Sequence, residues 1–416
     1  MRVLLINPNR YKSPPVPPIG LEHIAASLDK EGHEAEILDL CFSENPFGDL
    51  DRMMRSFKPD IVGVTVRNVD SVLFQTNEFF LDQIKCVIDY VKSGYGVKVI
   101  IGGAGVSANP QGILEYLNAD YAVSGPGEDI IYELLDKIRT AENVGQVHYR
   151  KYTYDISCPR RPGKIDYRKY YELGGVGGFE THKGCGSSCV YCLEANTRVS
   201  FKSIPDVIAE IKDLVAAGFD RLHLCDPEFN EDVDYCIDFC TALKNANPGM
   251  HWAVYMKPAN YNKKLFRLMN ETGVSLITLT VDSWKKCSLY YSDIEKIIFT
   301  AKSCGLKIVV DFLTGFPDED EDTLIWYLNM FRRLQPDSVG INAYIRLYKS
   351  LQITKIVLND PSLRKKIIGN TEDDTCIKPV FYNHVSSERL KELIAGDRIF
   401  RIEGLEKAVN YMRVAR

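Results

Sequence analysis

The sequence predicts an α/β chain of two parallel-sheet units, a doubly wound domain followed by a partial (βα)6 barrel with a small C-terminal cap. Short β-branched runs alternate with amphipathic helical patterns along nearly the whole chain. The strands are apolar throughout, as strands covered on both faces must be. The rhythm breaks once, at a polar connector with Pro159, Pro162 and Gly163 as breakers.

In the first unit, strands are expected at Val3–Asn7, Ala35–Leu40, Asp60–Val66, Lys98–Gly102 and Tyr121–Ser124. Helices are expected at Leu21–Glu31, Leu50–Phe57, Val72–Val91, Gln111–Leu117 and Ile130–Arg139. Right-handed crossovers then leave the doubly wound solutions, whose ligands sit beyond the carboxyl ends of the strands. The second unit repeats the pattern, with strands at Phe179–His182, Arg221–Cys225, His251–Tyr255, Leu276–Val281, Lys307–Leu313 and Val339–Tyr344. Its chemistry is expected at the C-terminal rim. The domains are therefore placed at 1–145 and 178–348, with a linker at 146–177 and an α-rich extension at 349–416 carrying helices at Glu388–Leu393 and Leu405–Met412.

Composition narrows the function. The chain has 416 residues, 45% hydrophobic and 26% charged, enough to bury large cores. Its net charge of −5 provides no global basic field, so nucleic acid is not an expected partner. No apolar run reaches the ~18 residues of a membrane span. The short run Val3–Ile6 meets Asn7-Pro8 at once and reads as a strand, so a cytoplasmic location is expected. Of twelve cysteines, nine are scattered, and most of these read as small buried hydrophobes.

The other three, Cys185, Cys189 and Cys192, fall within eight residues, on a loop directly after the first barrel strand. Thiolates at this spacing suit zinc or an iron–sulfur cluster. A closed zinc site wants a fourth ligand, and no Cys or His follows closely behind Cys192. Three thiolates on a four-iron cluster leave one iron open.

This CxxxCxxC pattern, with Tyr191 before the last cysteine and a βα series behind it, resembles the signature of the radical SAM family. The resemblance implies a [4Fe–4S] cluster on the three cysteines, with S-adenosylmethionine docked on the open iron. It also implies that Tyr191 contacts the adenine, that Asp282 and Ser283 bind the ribose, and that Gly315 in Gly-Phe-Pro lies on the adenine side. One departure stands out. The family's Gly-Gly-Glu is replaced by Leu224-Cys-Asp-Pro227, leaving Asp226 either to take the methionine amino group or to serve as a turn residue.

The first domain carries Asn7-Pro8 after its first strand, then Gly20, the cluster Gly102-Gly103-Ala-Gly105, and Ser124-Gly125-Pro-Gly127-Glu128. Together with the barrel that follows, these resemble the flavodoxin-like cobalamin-binding domain of B12-dependent radical SAM enzymes. The glycines are expected to clear room for the corrin tail. An Asp-x-His-x-x-Gly motif is absent, so cobalamin is expected without a protein imidazole below cobalt. Arg67-Asn68, at the end of the third strand, is the expected neighbour there. Arg67, which cannot ligate cobalt, would disfavour a lower water ligand; the alternative is an arginine paired with Asp70. Arg346-Leu-Tyr348 resembles an Arg-aromatic segment that faces substrate or packs.

The resemblance implies a C-methyltransferase acting on a small molecule through a 5′-deoxyadenosyl radical and methylcobalamin, supplied with electrons by a donor such as flavodoxin or ferredoxin. Ring contraction, cyclisation or sulfur insertion on the same cofactors is the alternative, and a cobalamin sensor with a vestigial cluster is the second. A methylthiolating enzyme would want a second cysteine set in the first domain, which holds only Cys41 and Cys86.

Overall fold

The structure, a computed structural model, describes residues 1–128, 130–140, 144–149, 163–370 and 375–405. The first sheet contains β1 (Arg2–Asn7), β2 (Glu34–Asp39), β3 (Ile61–Thr65), β4 (Lys98–Gly102), β5 (Tyr121–Ser124) and β6 (Val147–Tyr149). Between them run α1 (Ile19–Lys30), α2 (Pro46–Phe57), α3 (Leu81–Tyr95), α4 (Pro110–Leu117) and α5 (Ile130–Arg139). All pairings are parallel, in the order β2-β1-β3-β4-β5-β6. The order reverses between β1 and β3, which is the switch point where ligands bind in such sheets.

Strand period two explains both layers. Leu4 and Ile6 turn to the core under α2, α3 and α4, whereas Val3 and Leu5 turn to the core under α1 and α5. Asn45 and Asn109 start α2 and α4 by accepting from Gly48 and Gly112 N–H at 3.1 Å, with proline at the first helical turn of each.

After α6 (Tyr167–Glu172) comes β7 (Gly177–Phe179), then a small antiparallel pair, β8 (His182–Lys183) and β9 (Ser200–Phe201), which brackets the cysteine loop. The series continues with α7 (Ile204–Ala216), β10 (Arg221–Leu224), α8 (Val233–Ala246), β11 (His251–Met256), α9 (Lys263–Glu271) and β12 (Val274–Asp282). It is completed by α10 (Ser288–Ser303), β13 (Ile308–Leu313), α11 (Glu321–Leu334) and β14 (Ser338–Asn342). The C-terminal part adds β15 (Tyr344–Arg346), α12 (Gln352–Asn359), α13 (Pro361–Arg364), β16 (Ile367–Ile368), β17 (Phe381–Asn383), α14 (Ser387–Ile394) and β18 (Phe400–Ile402).

The barrel sheet runs β18-β14-β13-β12-β11-β10-β7, parallel throughout and open between its two edge strands. Leu222, Leu224, Trp252, Val254, Ile277, Leu279, Val310 and Phe312 are buried beneath the helices. The residues between them, His223, Tyr255, Thr280 and Asp311, therefore turn to the inner face.

The structure departs from expectation in three places. The linker opens with β6, which extends the first sheet beside β5. The C-terminal extension is less helical than expected, since it forms the sheet β15-β17-β16 and lends β18 to the open edge of β14. The expected helix Val72–Val91 begins only at Leu81, because residues 66–80 make an excursion instead. Its arms pair through Asp70 and Phe79, and Val72 at its turn has φ 52°. The expected helix Leu405–Met412 lies outside the described residues from position 406 on.

Trp252 sits at the centre of the barrel core, fully buried against Phe179, Phe229 and Phe239, with its indole N–H donating to the Thr272 carbonyl at 3.0 Å. Trp252→Ala is expected to destabilise the barrel by about 3–5 kcal/mol, read as an earlier denaturant midpoint for the barrel's unfolding.

Candidate functional site

The cysteine loop is shaped by its own backbone. The Cys185 N–H donates to Thr197 Oγ1 at 2.8 Å, the Thr197 N–H to the Cys185 carbonyl at 3.0 Å, and the Cys192 N–H to the Cys189 carbonyl at 3.2 Å. Gly184 has φ 86°, and a Cβ there would overlap the Arg198 carbonyl oxygen, so only glycine lets the two arms of the loop close. Cys185 is buried and the other two are half-buried. Burial raises all three thiols, Cys192 up to about 11, while the Lys285 ammonium pulls Cys189 the other way from 3.8 Å. Such thiols lose their protons to a soft metal, not to water. Among the described residues no three His, Cys, Asp or Glu side chains converge as ligands of a single ion. The fit to a polynuclear cluster rests on the donors themselves, three sulfurs on one short loop with no fourth.

Around this loop stand groups that sequence reasoning missed. Glu231 accepts from the Gly186 N–H at 3.3 Å and pairs with Lys257 at 2.7 Å, and Lys257 reaches Ser187 at 3.5 Å. Glu228 accepts from Thr280 Oγ1 at 2.5 Å, while its other oxygen is buried without a partner. Burial pushes its carboxyl up to about 8, against the opposing pull of Thr280 and Lys257. Its place at the end of β10, two residues beyond Asp226, was the available signal.

Of the two roles open to Asp226, its contacts fit the structural one. Its side chain is fully buried and accepts from the Thr181 N–H at 2.8 Å, the Thr181 hydroxyl, the His182 N–H at 3.2 Å and His182 Nδ1 at 3.0 Å. It ties β10 to the start of the cysteine loop and leaves no oxygen for a methionine amino group.

On the far side of the rim, Tyr191 donates to Asp282 Oδ2 at 3.0 Å and packs against Phe316 at 5.4 Å. Asp282 also lies 3.8 Å from the Lys285 ammonium. Ser283 is corrected: it is fully buried and donates to Glu319 at 2.6 Å. Glu319 accepts in addition from Thr314 and from the Gly315 and Phe316 N–H groups at 2.7 and 3.0 Å. The acidic run 318–322 reads in sequence as a helix start, and Asp320 does cap α11, but Glu319 turns inward and organises the Gly315 loop.

In the first domain, Pro8, Asn9, Thr65, Arg67, Asn68 and Gln83 line a small cavity at the β1/β3 switch point. Asn7 is buried and shapes the turn, donating to Asp39 at 2.8 Å and accepting from the Asn9 N–H at 3.2 Å. The glycines after β4 have a physical reason other than the expected one. A Cβ on Gly103 or Gly105 would come within 2.8 Å of the Val66 carbonyl, so they clear the β3 loop. Gly102 and Gly20 meet no such contact. Gly127 approaches Ile24, and Ser124 lies 3.4 Å from Ser107. Glu128 is corrected as a cofactor contact: it is buried and paired with Lys183, two residues before Cys185.

Arg67 is exposed toward the barrel. Burial first, and then the Arg67 charge, push His223 on the inner face of β10 down to about 4, against the pull of Asp226. Asp70, the alternative partner for Arg67, pairs with Arg346 at 2.7 Å. Arg346 is buried with all five N–H donors engaged, so it packs and does not face substrate.

Two family models match the chain, the B12 binding domain over residues 13–135 and the radical SAM superfamily over residues 179–331, and together they span most of it. The chain is a B12-binding radical SAM protein. This B12-binding radical SAM protein is similar to tryptophan 2-C-methyltransferase of Streptomyces laurentii, 25% identical over 442 residues, covering 85% of this chain and 74% of the relative. It is also similar to an uncharacterized methyltransferase of Pyrococcus horikoshii, 24% identical and covering 95% of this chain and 91% of that one. Among solved structures, the radical S-adenosylmethionine methyltransferase TsrM from Kitasatospora setae, with cobalamin and a [4Fe–4S] cluster bound, shares the fold at a TM-score of 0.85 and 22% identity over 97% of this chain and 93% of its own. The cobalamin-dependent S-adenosylmethionine radical enzyme OxsB, with aqua-cobalamin and S-adenosylmethionine bound, matches at 0.73 and 14% identity over 95% of this chain and 66% of its own. No helix among the described residues of the B12-binding radical SAM protein is long and apolar enough to cross a membrane.

Replacing Cys185, Cys189 or Cys192 by alanine is expected to abolish iron and sulfide uptake on anaerobic reconstitution while leaving the far-UV circular dichroism unchanged. Elemental analysis of each variant checks it.

Proposed function

We propose that this chain is a cobalamin-dependent C-methyltransferase that acts on a small molecule at the boundary of its two domains. The observation that carries the reading is the joining of the two strand-end rims, with Glu128 after β5 paired to Lys183 ahead of the cysteine loop and Asp70 beyond β3 paired to Arg346 at 2.7 Å. When bound, the cluster would supply reductive cleavage of a sulfonium and cobalamin a transferable methyl group.

The protein's own residues do the holding. Cys185, Cys189 and Cys192 would bind the cluster. The buried, half-partnered Glu228 carboxyl suits a methionine ammonium, taking the role that Asp226 does not fill. Tyr191 and Asp282 would bound the adenosine, with Phe316 beneath. Glu319 keeps the Gly315 loop in shape. Arg67 would lie beneath cobalt and disfavour water there. An external donor such as flavodoxin or ferredoxin would supply electrons. The net charge of −5 and the polar inner face of the barrel favour a small substrate; one relative of known fold carries tryptophan.

The deciding experiment is anaerobic reconstitution with iron, sulfide and hydroxocobalamin, followed by product mass analysis over candidate metabolites. A gain of one methylene unit supports the proposal; turnover with no such gain overturns it.

Two further outcomes follow from named residues. Ammonium binding favours ionised Glu228, whose carboxyl is largely protonated below about pH 8. S-adenosylmethionine binding at pH 7 should therefore release close to one proton, and its affinity should rise with pH up to about 8. Calorimetry in buffers of different ionisation enthalpy reads this, and Glu228→Gln should remove the proton release. Arg67→Lys or Arg67→Ala should leave cobalamin bound but slow methyl transfer, as read by single-turnover assay; unchanged turnover would remove Arg67 from the mechanism.

A further inference from the structure

The excursion 66–80 leaves the cobalamin side of the first domain and ends on the barrel. Its root is clamped, with the Val66 N–H donating to the Gly102 carbonyl at 2.7 Å and the Gly105 N–H to the Val66 carbonyl at 2.9 Å. Its neck is clamped four residues later. Asp70, 1% exposed, accepts from the Val72 N–H at 2.8 Å, from Asn77 Nδ2 at 3.3 Å and from Arg346 Nε at 2.7 Å. Arg67 sits on the short segment between these two anchors.

The second anchor belongs to the barrel side of the molecule. Arg346 on β15 sends its remaining donors to the carbonyls of Leu347 at 2.6 Å, Val380 at 3.4 Å, Cys376 at 3.2 Å and Ile377 at 2.9 Å. Its guanidinium lies 4.3 Å over the Tyr348 ring. A planar fork with every donor directed is a rigid mount, and a lysine cannot reproduce it. The tip of the excursion adds an apolar contact, Phe74 stacked on Tyr344 at 4.2 Å. Val72 holds φ 52°, a conformation that a β-branched residue adopts only when its surroundings impose it.

We propose that Asp70 and Arg346 are positioning residues that register Arg67 against the barrel, setting from the second domain where the cation stands relative to cobalt. This rests on the reading of Arg67 given above. Loss of the pair leaves the root at Val66 and the Phe80 N–H bond to the Val69 carbonyl at 3.0 Å intact but removes the tie to the second domain, so cobalamin would still bind while Arg67 loses its register against it.

The test uses full-length protein loaded with cobalamin alone and reduced to cob(II)alamin, with electron paramagnetic resonance and absorbance reporting cobalt coordination. Arg67→Ala is expected to shift the signal from wild type toward the five-coordinate, water-ligated form. Asp70→Asn and Arg346→Lys should shift it the same way, with cobalamin still bound, and in the fully reconstituted protein slow methyl transfer about tenfold to a hundredfold. Phe74→Ala, which removes the tip contact only, should keep the wild-type signal. A wild-type signal in Asp70→Asn alongside a shifted one in Arg67→Ala overturns the registering role and leaves the Arg67 reading intact. An unshifted Arg67→Ala overturns both. An equal shift in Phe74→Ala also overturns the proposal, because general loosening of the excursion would then suffice. Should Arg346→Lys fail to fold, the isosteric Asp70→Asn carries the test.

Discussion

The buried pairing of Glu128 with Lys183 joins the loop after β5 of one sheet to the strand that leads into the cysteine loop of the other. Around it, Lys183 lies 3.6 Å from Glu180, Lys202 lies 3.3 Å from the same carboxylate, and His23 of α1 approaches it at 4.0 Å. Burial alone would raise Glu128 and Glu180 and lower Lys183; mutual attraction overrides burial at each and reverses the shift. A buried ionic seam of this kind adds little net stability over an apolar one of the same size. It adds register. Charges that are satisfied only in one alignment penalise every slide of one domain over the other, and both ligand-bearing rims depend on that alignment.

The same economy of acids appears at the end of β10, where Asp226 and Glu228 are two residues apart and have opposite fates. Asp226 is saturated by four donors from the cysteine-loop strand, so it is a structural carboxylate. Glu228 has one donor and one bare buried oxygen, which leaves its charge unsupported until a cation arrives. Both lie past the end of β10, where the turn through Pro227 lets one side chain close the scaffold and the other serve the cavity. Ser283 and Glu319 repeat the pattern across the barrel, where a serine that resembles a ribose ligand instead fastens the glutamate that shapes the Gly315 loop.

Much of this was legible in the amino acids alone because it is periodic or local. The βα rhythm located β1 to β5 and β10 to β14 to within a few residues, and three thiols in eight residues announced their own chemistry. What escaped was tertiary. Residues 72–80 read as the first turns of the helix that follows, yet Asp70 binds Arg346, more than 270 positions away, and the segment forms an excursion. The strands β6 and β18 are three residues long and exist only because a neighbouring edge needs a partner. The glycines after β4 pointed to close approach, but the approaching group is the Val66 carbonyl. Spacing reveals that a side chain is small or acidic; it does not reveal which neighbour claims it.

Two buried cross-domain anchors, Glu128–Lys183 and Asp70–Arg346, act on different loops of the site. The first touches the loop that precedes Cys185, and the second touches the loop that carries Arg67. A single anchor would leave the rims free to rotate about one point; a second, separated anchor restricts them to the one axis that joins the two. Group transfer between two bound centres requires the reacting atoms to be held to within about an ångström, and misplacement on that scale costs orders of magnitude in rate. Both anchors are built from side chains alone. The alignment of the rims is therefore written into the chain's own side chains, and both anchors serve the geometry that such a transfer requires.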